Sequence, residues 1–299
     1  MTGVKMHADE SDIDAALVLR LLTSQFSHWS HLTLASVPSS GTDHALFRLG
    51  DDMVVRLPRI HWATAQAELE RRWLPRLAPN LPLAVPEQLA MGEPGEGYPW
   101  RWAIYRWLDG ENAIGSPHAD TVATAVVLAE FIRALQAADP TGGPAADVAS
   151  GGRGAPLAAR DAETRRAIAE SRGLVDTAAV TTAWEAALRA PAHDGPPVWI
   201  HGDLEPGNLI MRDGRLSAVI DFCCLCLGDP ACDLIPAWSV FSGEAREAFR
   251  AALAVGDAAW ARGRGWALST AIIALPYYKD TNPVLANGAR QKIESVLNE

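Results

Sequence analysis

The chain has 299 residues, 48% apolar and 21% charged, with 26 Lys+Arg set against 36 Asp+Glu for a formal net charge of −10. This is the composition of a folded protein with one large domain or two smaller ones. It excludes a disordered or collagen-like chain and argues against a protein that coats nucleic acid. Lys5, Lys279 and Lys292 are the only lysines, so chemistry that needs a cation in the middle of the chain must use arginine.

The N-terminal stretch turns acidic before any apolar run of signal-peptide length. The longest apolar run, near 271–275, is far short of the roughly 20 residues of a membrane span, so a cytoplasmic protein without a membrane partner is predicted. Strand signals follow at 32–37, 45–49, 53–57, 87–91 and 100–108. Between the third and fourth, residues 62–77 favour a helix, with apolar positions three to four apart. One helix against a small antiparallel sheet is an α+β lobe.

Beyond Gly110 the texture becomes helical, with Ala/Leu/Arg-rich stretches at 119–137, 158–171, 177–189, 244–254, 258–275 and 283–297. The turn from Asp109 to Asn112 is the expected hinge, dividing the chain into lobes 1–108 and 109–299. Segment 139–156, rich in Gly, Pro and Ala, offers little to bury and is expected to be a mobile loop.

One segment of the second lobe breaks the helical pattern. Asp213-Gly214 between two apolar runs predicts a hairpin in which Arg212 faces Arg215 and, in regular register, Asn208 faces Val219. Asp221 would then be a diagonal neighbour of Asn208, with Cα atoms ~7–8 Å apart. A carboxamide and a carboxylate converging at a hairpin mouth suit oxygen ligation of Mg²⁺. Asp203 lies five residues before Asn208, in a loop that Gly202, Pro206 and Gly207 force off a helical path. That loop can offer one carboxylate to a substrate hydroxyl and one amide to a metal, the pattern of a kinase catalytic loop.

At these residues, HGDLEPGNLIM, VIDF and GDPACDL, the chain resembles the aminoglycoside and macrolide phosphotransferase family, relatives of the choline kinases and of the protein-kinase fold. Gly202 in place of the protein-kinase Arg, and Gly228-Asp229-Pro230 followed by Asp233, favour the small-molecule branch. The resemblance covers about 20–299 and implies a bilobal α+β fold, with a small antiparallel-sheet lobe that binds nucleotide and a mainly helical lobe that carries the catalytic loop and acceptor site. It further implies phosphoryl transfer from ATP or GTP, with Mg²⁺, to the hydroxyl of a small molecule such as an aminoglycoside or macrolide. Choline, homoserine and sugar-like acceptors stay open.

The family also implies a cation on the third strand to clamp the triphosphate, and Arg56 is what stands there. Its ion-pair partner would be Glu70, with Glu68 as rival. Ser40, Gly41 and Thr42 would fold over the phosphates, and Tyr105 and Trp107 would offer backbone groups to the purine. By the same resemblance Asp203 is the catalytic residue and Asn208 and Asp221 hold the metal.

His201 is read as holding the loop rather than accepting the proton, and Asp229 and Asp233 as capping the next helix and bracing the loop. Glu205 reads as a solvated loop acid. Candidates for touching the acceptor are Asp233, Trp238, Tyr277, Tyr278 and Asp280. Cys223 and Cys226 stand where the family pattern has Gly, so a side chain there would strain or crowd the site. This motivates a second reading, a nucleotide-binding protein that transfers nothing. Together with Cys224 and Cys232 they are expected to pack as small apolar groups, because their spacing is not that of a zinc site.

Overall fold

The computed structural model describes residues 10–39, 41–147 and 150–299. Ser40 of the expected phosphate loop therefore lies outside the described residues. Two compact units emerge, one comprising Met1–Pro79 and Ala84–Asp109, the other Asn80–Leu83 and Gly110–Glu299. The architecture is the expected α+β, with an antiparallel sheet in the first unit and mostly helices in the second. Among the described residues no helix is long and apolar enough to cross a membrane.

The first unit opens with a helix the strand signals did not anticipate, α1 (Ala15–Gln25). Asp14 caps it by accepting from the Leu17 amide at 2.7 Å, and Leu17, Val18, Leu21 and Leu22 form its buried stripe. The strands β1 (Leu34–Ser36), β2 (His44–Leu49) and β3 (Met53–Pro58) precede the helix α2 (Gln66–Leu77), and β4 (Gln88–Gly92) and β5 (Trp102–Arg106) follow it. They form one antiparallel sheet in the order β1-β2-β3-β5-β4. Strand alternation sends Met53, Val55 and Leu57 of β3 into the core shared with α1. It leaves Val54 and Arg56 on the opposite face, where Val54 packs with Ala67 of α2 and with Ala103 and Tyr105 of β5.

The second unit contains β6 (Glu111–Asn112), α3 (Val122–Gln136), α4 (Asp161–Glu170), α5 (Thr177–Leu188) and β7 (Val198–Ile200). After these come β8 (Leu209–Arg212), β9 (Arg215–Val219), β10 (Cys226–Gly228), α6 (Pro236–Ser239), α7 (Gly243–Leu253), α8 (Asp257–Tyr278) and α9 (Pro283–Leu297). The central element is α8, buried on several sides and packed by α4, α5, α9 and the turn Pro230–Leu234.

The β8–β9 hairpin turns at Asp213 and Gly214, both left-handed at φ 51° and 73°, and Arg212 faces Arg215 as the Asp-Gly pair predicts. The register beyond the turn differs from the regular one. Met211 faces Leu216 but Ile210 faces Ala218, so Ser217 is an extra residue, with its hydroxyl donated to the Ile210 carbonyl at 3.0 Å. This bulge moves Val219 onto Leu209, and the Asn208 carbonyl instead accepts from the Ile220 amide at 2.9 Å.

Segment 139–156 is not the free loop its composition suggests, although Val148 and Ala149 lie outside the described residues. Leu227 of β10 donates to the Pro144 carbonyl at 2.7 Å and accepts from Ala146 at 3.0 Å, and Asp229 donates to the Gly154 carbonyl at 2.8 Å. Glycine serves here for close approach. A Cβ on Gly154, already at φ +75°, would stand 2.5 Å from Ile200 Cδ1 and 3.1 Å from Gly228 Cα.

Gly154→Ala is therefore expected to destabilise the protein by about 2–4 kcal/mol, combining a left-handed penalty with overpacking. Gly151→Ala in the same segment, at φ +62° with nothing within 4 Å of its Cβ, should cost only the backbone share, about 1 kcal/mol. Urea denaturation of the two variants measures the difference, and equal losses would contradict the packing argument.

Candidate active site

In the first unit, β3 and α2 bring together the two groups expected to form an ion pair. Arg56 Nη1 lies 3.3 Å from Glu70 Oε1, with the side chains 13% and 0% exposed. The Glu70 carboxylate also accepts from Gln66 Nε2 at 2.8 Å and from the Tyr105 hydroxyl at 2.5 Å. Glu70 is in step with Ala67, Trp73, Leu74 and Leu77 on the buried face of α2. The rival Glu68 binds Arg71 at 2.8 Å and Arg101 at 3.4 Å on the surface.

The other residues expected to meet nucleotide have partners of their own. Tyr105 is buried, its side chain committed to Glu70. The Trp107 amide donates to the Asp52 carbonyl at 2.7 Å, and its ring lies 4.0 Å beneath the Arg48 guanidinium. The Thr42 hydroxyl donates to Asp43 at 2.9 Å, and the Gly41 amide to Ser39 Oγ at 3.0 Å.

In the second unit the loop between β7 and β8 carries Asp203 and Asn208, and it is ordered from below by Asp233. Fully buried, Asp233 accepts the His201 amide on one oxygen and the Gly202 amide on the other, each at 2.8 Å. Burial pushes its carboxyl up to about 7, against the pull of those two amides. Asp229, the second residue of GDPACDL, caps the Pro230–Leu234 turn through the Ala231 amide and grips Arg262 of α8 with both oxygens at 2.7 and 3.1 Å. Asp233 and Trp238, two of the acceptor candidates, are buried, whereas Tyr277 is exposed.

His201 fixes its own tautomer. Its Nδ1 accepts from the Asp203 amide at 3.2 Å, so Nε2 carries the proton and donates to the Ile220 carbonyl at 3.1 Å. The ring also packs on Phe222, centroids 4.5 Å apart. Burial drives the imidazole down to about 4, leaving a neutral ring suited to holding two strands rather than to taking a proton.

Asp203 is held at both oxygens. Arg153 Nη2 lies 3.3 Å from Oδ1, and Asn208 Nδ2 donates to Oδ2 at 3.0 Å and to the Asp203 carbonyl at 2.8 Å. Burial pushes the carboxyl up to about 6; Arg153 opposes the rise, and Glu205 and Asp221 add to it. Because the Asn208 amide nitrogen is spent on Asp203, its Oδ1 is turned away from that residue. Asp221 adopts φ +67°, a left-handed conformation uncommon for a non-glycine residue. A carboxamide oxygen and a carboxylate are hard donors, so this pair fits Mg²⁺.

Neither Cys223 nor Cys226 has a positive φ, so the expected backbone strain falls on Asp221 instead. Cys226 donates to the Arg153 carbonyl at 3.4 Å and Cys232 to the Gly202 carbonyl at 3.8 Å. Burial pushes the Cys226 thiol up to about 12. All four cysteines are free, and no cluster of three or more metal-ligating side chains occurs among the described residues.

Two residues that reach the loop, Lys292 and Arg153, have no site role in the sequence reading. Glu205, read as solvated, is ion-paired with Lys292 of α9, whose side chain is 6% exposed and also donates to Thr270 Oγ1 at 3.3 Å. Lys292 repeats in step with Ala289, Ile293 and Val296, and a cation on that apolar stripe was the available signal. Arg153 stands alone between glycines in segment 139–156, and only the need for close backbone packing there could have marked it.

A family model described as APH, phosphotransferase enzyme family, matches residues 35–266. The structure is similar to the GDP and kanamycin complex of APH(2")-IIia, with TM-score 0.75 and 18% identity over 94% of this chain and 99% of that one. It is also similar to apo macrolide 2'-phosphotransferase MphH from Brachybacterium faecium, with TM-score 0.61 and 23% identity over 92% and 97%. A third match, macrolide 2'-phosphotransferase type I, has TM-score 0.64 and 19% identity over 95% and 98%. These likenesses establish the fold. No curated protein sequence matches the chain.

The His201 imidazole titrates near 4 when folded and near 6.5 when unfolded, so on acidification the unfolded chain binds its proton first. The stabilisation present above 6.5 is then lost between 6.5 and 4, up to about 3 kcal/mol. Wild type should exceed His201→Gln in stability at pH 7.5, and the gap should close toward pH 4.5 in denaturation titrations. A gap that stays constant would contradict the buried neutral imidazole.

Proposed function

The chain belongs to the phosphotransferase enzyme family, and from that premise we propose that it transfers the terminal phosphoryl group of ATP or GTP to a hydroxyl of an aminoglycoside- or macrolide-type molecule. The observation that carries this reading is the Asp203 carboxylate, a quarter exposed and held at both oxygens beside Asn208 within His201–Asn208. Solved structures of the same fold bind GDP with kanamycin, or are macrolide 2'-phosphotransferases, which supports this acceptor class. Residues 1–108 are assigned to nucleotide binding, and 109–299 to the catalytic loop and acceptor.

In the proposed mechanism the acceptor hydroxyl donates a hydrogen bond to Asp203. As the hydroxyl oxygen bonds to the terminal phosphorus, the bond from phosphorus to the bridging oxygen breaks and the proton passes to the carboxylate. Arg56 is the proposed cation for the triphosphate, and Glu70 fixes its direction. Arginine can fork onto two phosphate oxygens where lysine offers a point charge. Mg²⁺ held by Asn208 and Asp221 would neutralise charge on the phosphates. Most of the acceleration comes from placement, since phosphoryl transfer needs little covalent help from the protein.

The site does not favour the reading without catalysis. Side chains at 223 and 226 leave their own backbone unstrained, and Asn208 holds Asp203 through both its carbonyl and its carboxylate.

ATP or GTP with Mg²⁺ should raise the thermal midpoint, and assays across aminoglycosides and macrolides should identify an acceptor. Asp203→Ala should then lower kcat by about 10²–10⁴-fold while the nucleotide-induced shift persists. Full transfer by that variant, or no shift with either nucleotide, would overturn the proposal.

A further inference from the structure

We propose that Arg153 is a positioning residue for phosphoryl transfer, holding the Asp203 carboxylate in the orientation in which it receives the acceptor hydroxyl. This role rests on the phosphotransfer reading above. A carboxylate attached through one aliphatic carbon rotates about a broad, two-fold torsion and needs two constraints to fix its plane. Asn208 supplies one at Oδ2, and Arg153 supplies the other at Oδ1, 3.3 Å from Nη2. Each oxygen keeps a second lone pair, so the clamp leaves room for a hydroxyl donor.

The placement of Arg153 is over-determined by its surroundings. Its amide donates to the Ser150 carbonyl at 3.1 Å, and its carbonyl accepts from Ser150 Oγ at 3.3 Å and Cys226 Sγ at 3.4 Å. The next residue, Gly154, accepts from the Asp229 amide at 2.8 Å, and Arg160 donates to the Gly151 carbonyl at 3.1 Å and to Ser269 of α8 at 2.9 Å. The catalytic loop is shaped to receive it. A Cβ on Gly202 would lie 3.1 Å from Arg153 Cβ and 2.8 Å from Cys224 Cβ, so the absence of a side chain there lets the arginine lie against the loop.

Arg153 Nη1 is buried without a hydrogen-bond partner among the described residues. Such an atom is destabilising, so hydrogen bonding alone does not account for burying the whole guanidinium here. The fold keeps a partly unsatisfied guanidinium against the catalytic carboxylate. Unsatisfied or strained groups persist where a site needs them. Catalysis is the step most sensitive to the last ångström of carboxylate position.

Arg153→Ala, assayed with the acceptor and nucleotide that wild type uses, is expected to lose roughly 10- to 100-fold in kcat, with both KM values within about threefold. Ethylguanidinium in the buffer should restore a substantial part of that kcat in the alanine variant and none in Asp203→Ala, and Arg153→Lys should retain an intermediate rate. Should the alanine variant fail to fold, Arg153→Met, which preserves the aliphatic stem, is read in the same way. A kcat within about twofold of wild type would overturn the proposal. So would a loss that follows a fall in melting temperature and responds to neither guanidinium nor lysine.

If wild type transfers phosphoryl to no acceptor, the proposed function fails, and the clamp is judged separately from arginine side-chain NMR on nucleotide-free protein. Resolved, slowly rotating Nη signals of Arg153 that collapse in Asp203→Ala would support the clamp. Signals that are the same in both proteins would overturn it.

Discussion

The second unit is organised around one buried carboxylate. Asp233 accepts two backbone amides from consecutive residues, His201 and Gly202, and no neutral side chain of its size can accept on both sides. Hydrogen bonds to a charged group are worth about 1.5–3 kcal/mol each, enough to offset much of the cost of burying that carboxylate. With both amides turned inward, Gly202 takes φ +80° and the chain reverses so that Asp203 points outward. The same reversal brings the His201 ring onto Ile220 and Phe222, which ties the loop before Asn208 to the strand end that carries Asp221. The brace is itself fixed to α8 by the Asp229–Arg262 pair. The most polar part of the site is thus suspended from the most buried helix.

A second consequence is local charge balance. The loop has two acids, Asp203 and Glu205, and each receives a cation from a distant part of the chain, Arg153 and Lys292. The formal charge of −10 is therefore a poor guide to the field an acceptor meets. Lys292, near the end of a chain otherwise poor in lysine, reaches the loop as a buried ion pair whose desolvation is compensated by Glu205 and Thr270. Arg56 and Arg153 each place a single nitrogen on their acid, and the planar fork is used in full where Arg262 grips both oxygens of Asp229.

Legibility in the sequence followed the range of the interaction. The Asp213-Gly214 turn was readable because two successive left-handed residues leave few alternatives to Asp-Gly. Glu70 was readable only as the first of two candidates with Glu68 as rival, and the structure separates them by placing Glu70 on the buried face of α2 and Glu68 on the surface. The register beyond the turn was not readable, since the bulge at Ser217 depends on a hydroxyl bonding back across the hairpin and leaves no mark on composition. Arg153 was hidden for the opposite reason. Glycine around it signalled freedom, whereas the fold uses glycine for contact at Gly154 and Gly202. The cysteines resisted reading because thiols can replace small residues without strain where φ is negative, and the left-handed angle fell on Asp221.

In the proposed reaction one carboxylate, Asp203, receives the acceptor hydroxyl while Asn208 and Asp221 hold the metal. A crystal structure of the protein with a non-hydrolysable nucleotide triphosphate, Mg²⁺ and its acceptor tests this directly. The expected structure has an acceptor hydroxyl within hydrogen-bond distance of Asp203, Arg153 still on its Oδ1, and the cation on Asn208 Oδ1 and the Asp221 carboxylate. A hydroxyl seated on another side chain, or a cation bound without Asn208 and Asp221, would contradict it.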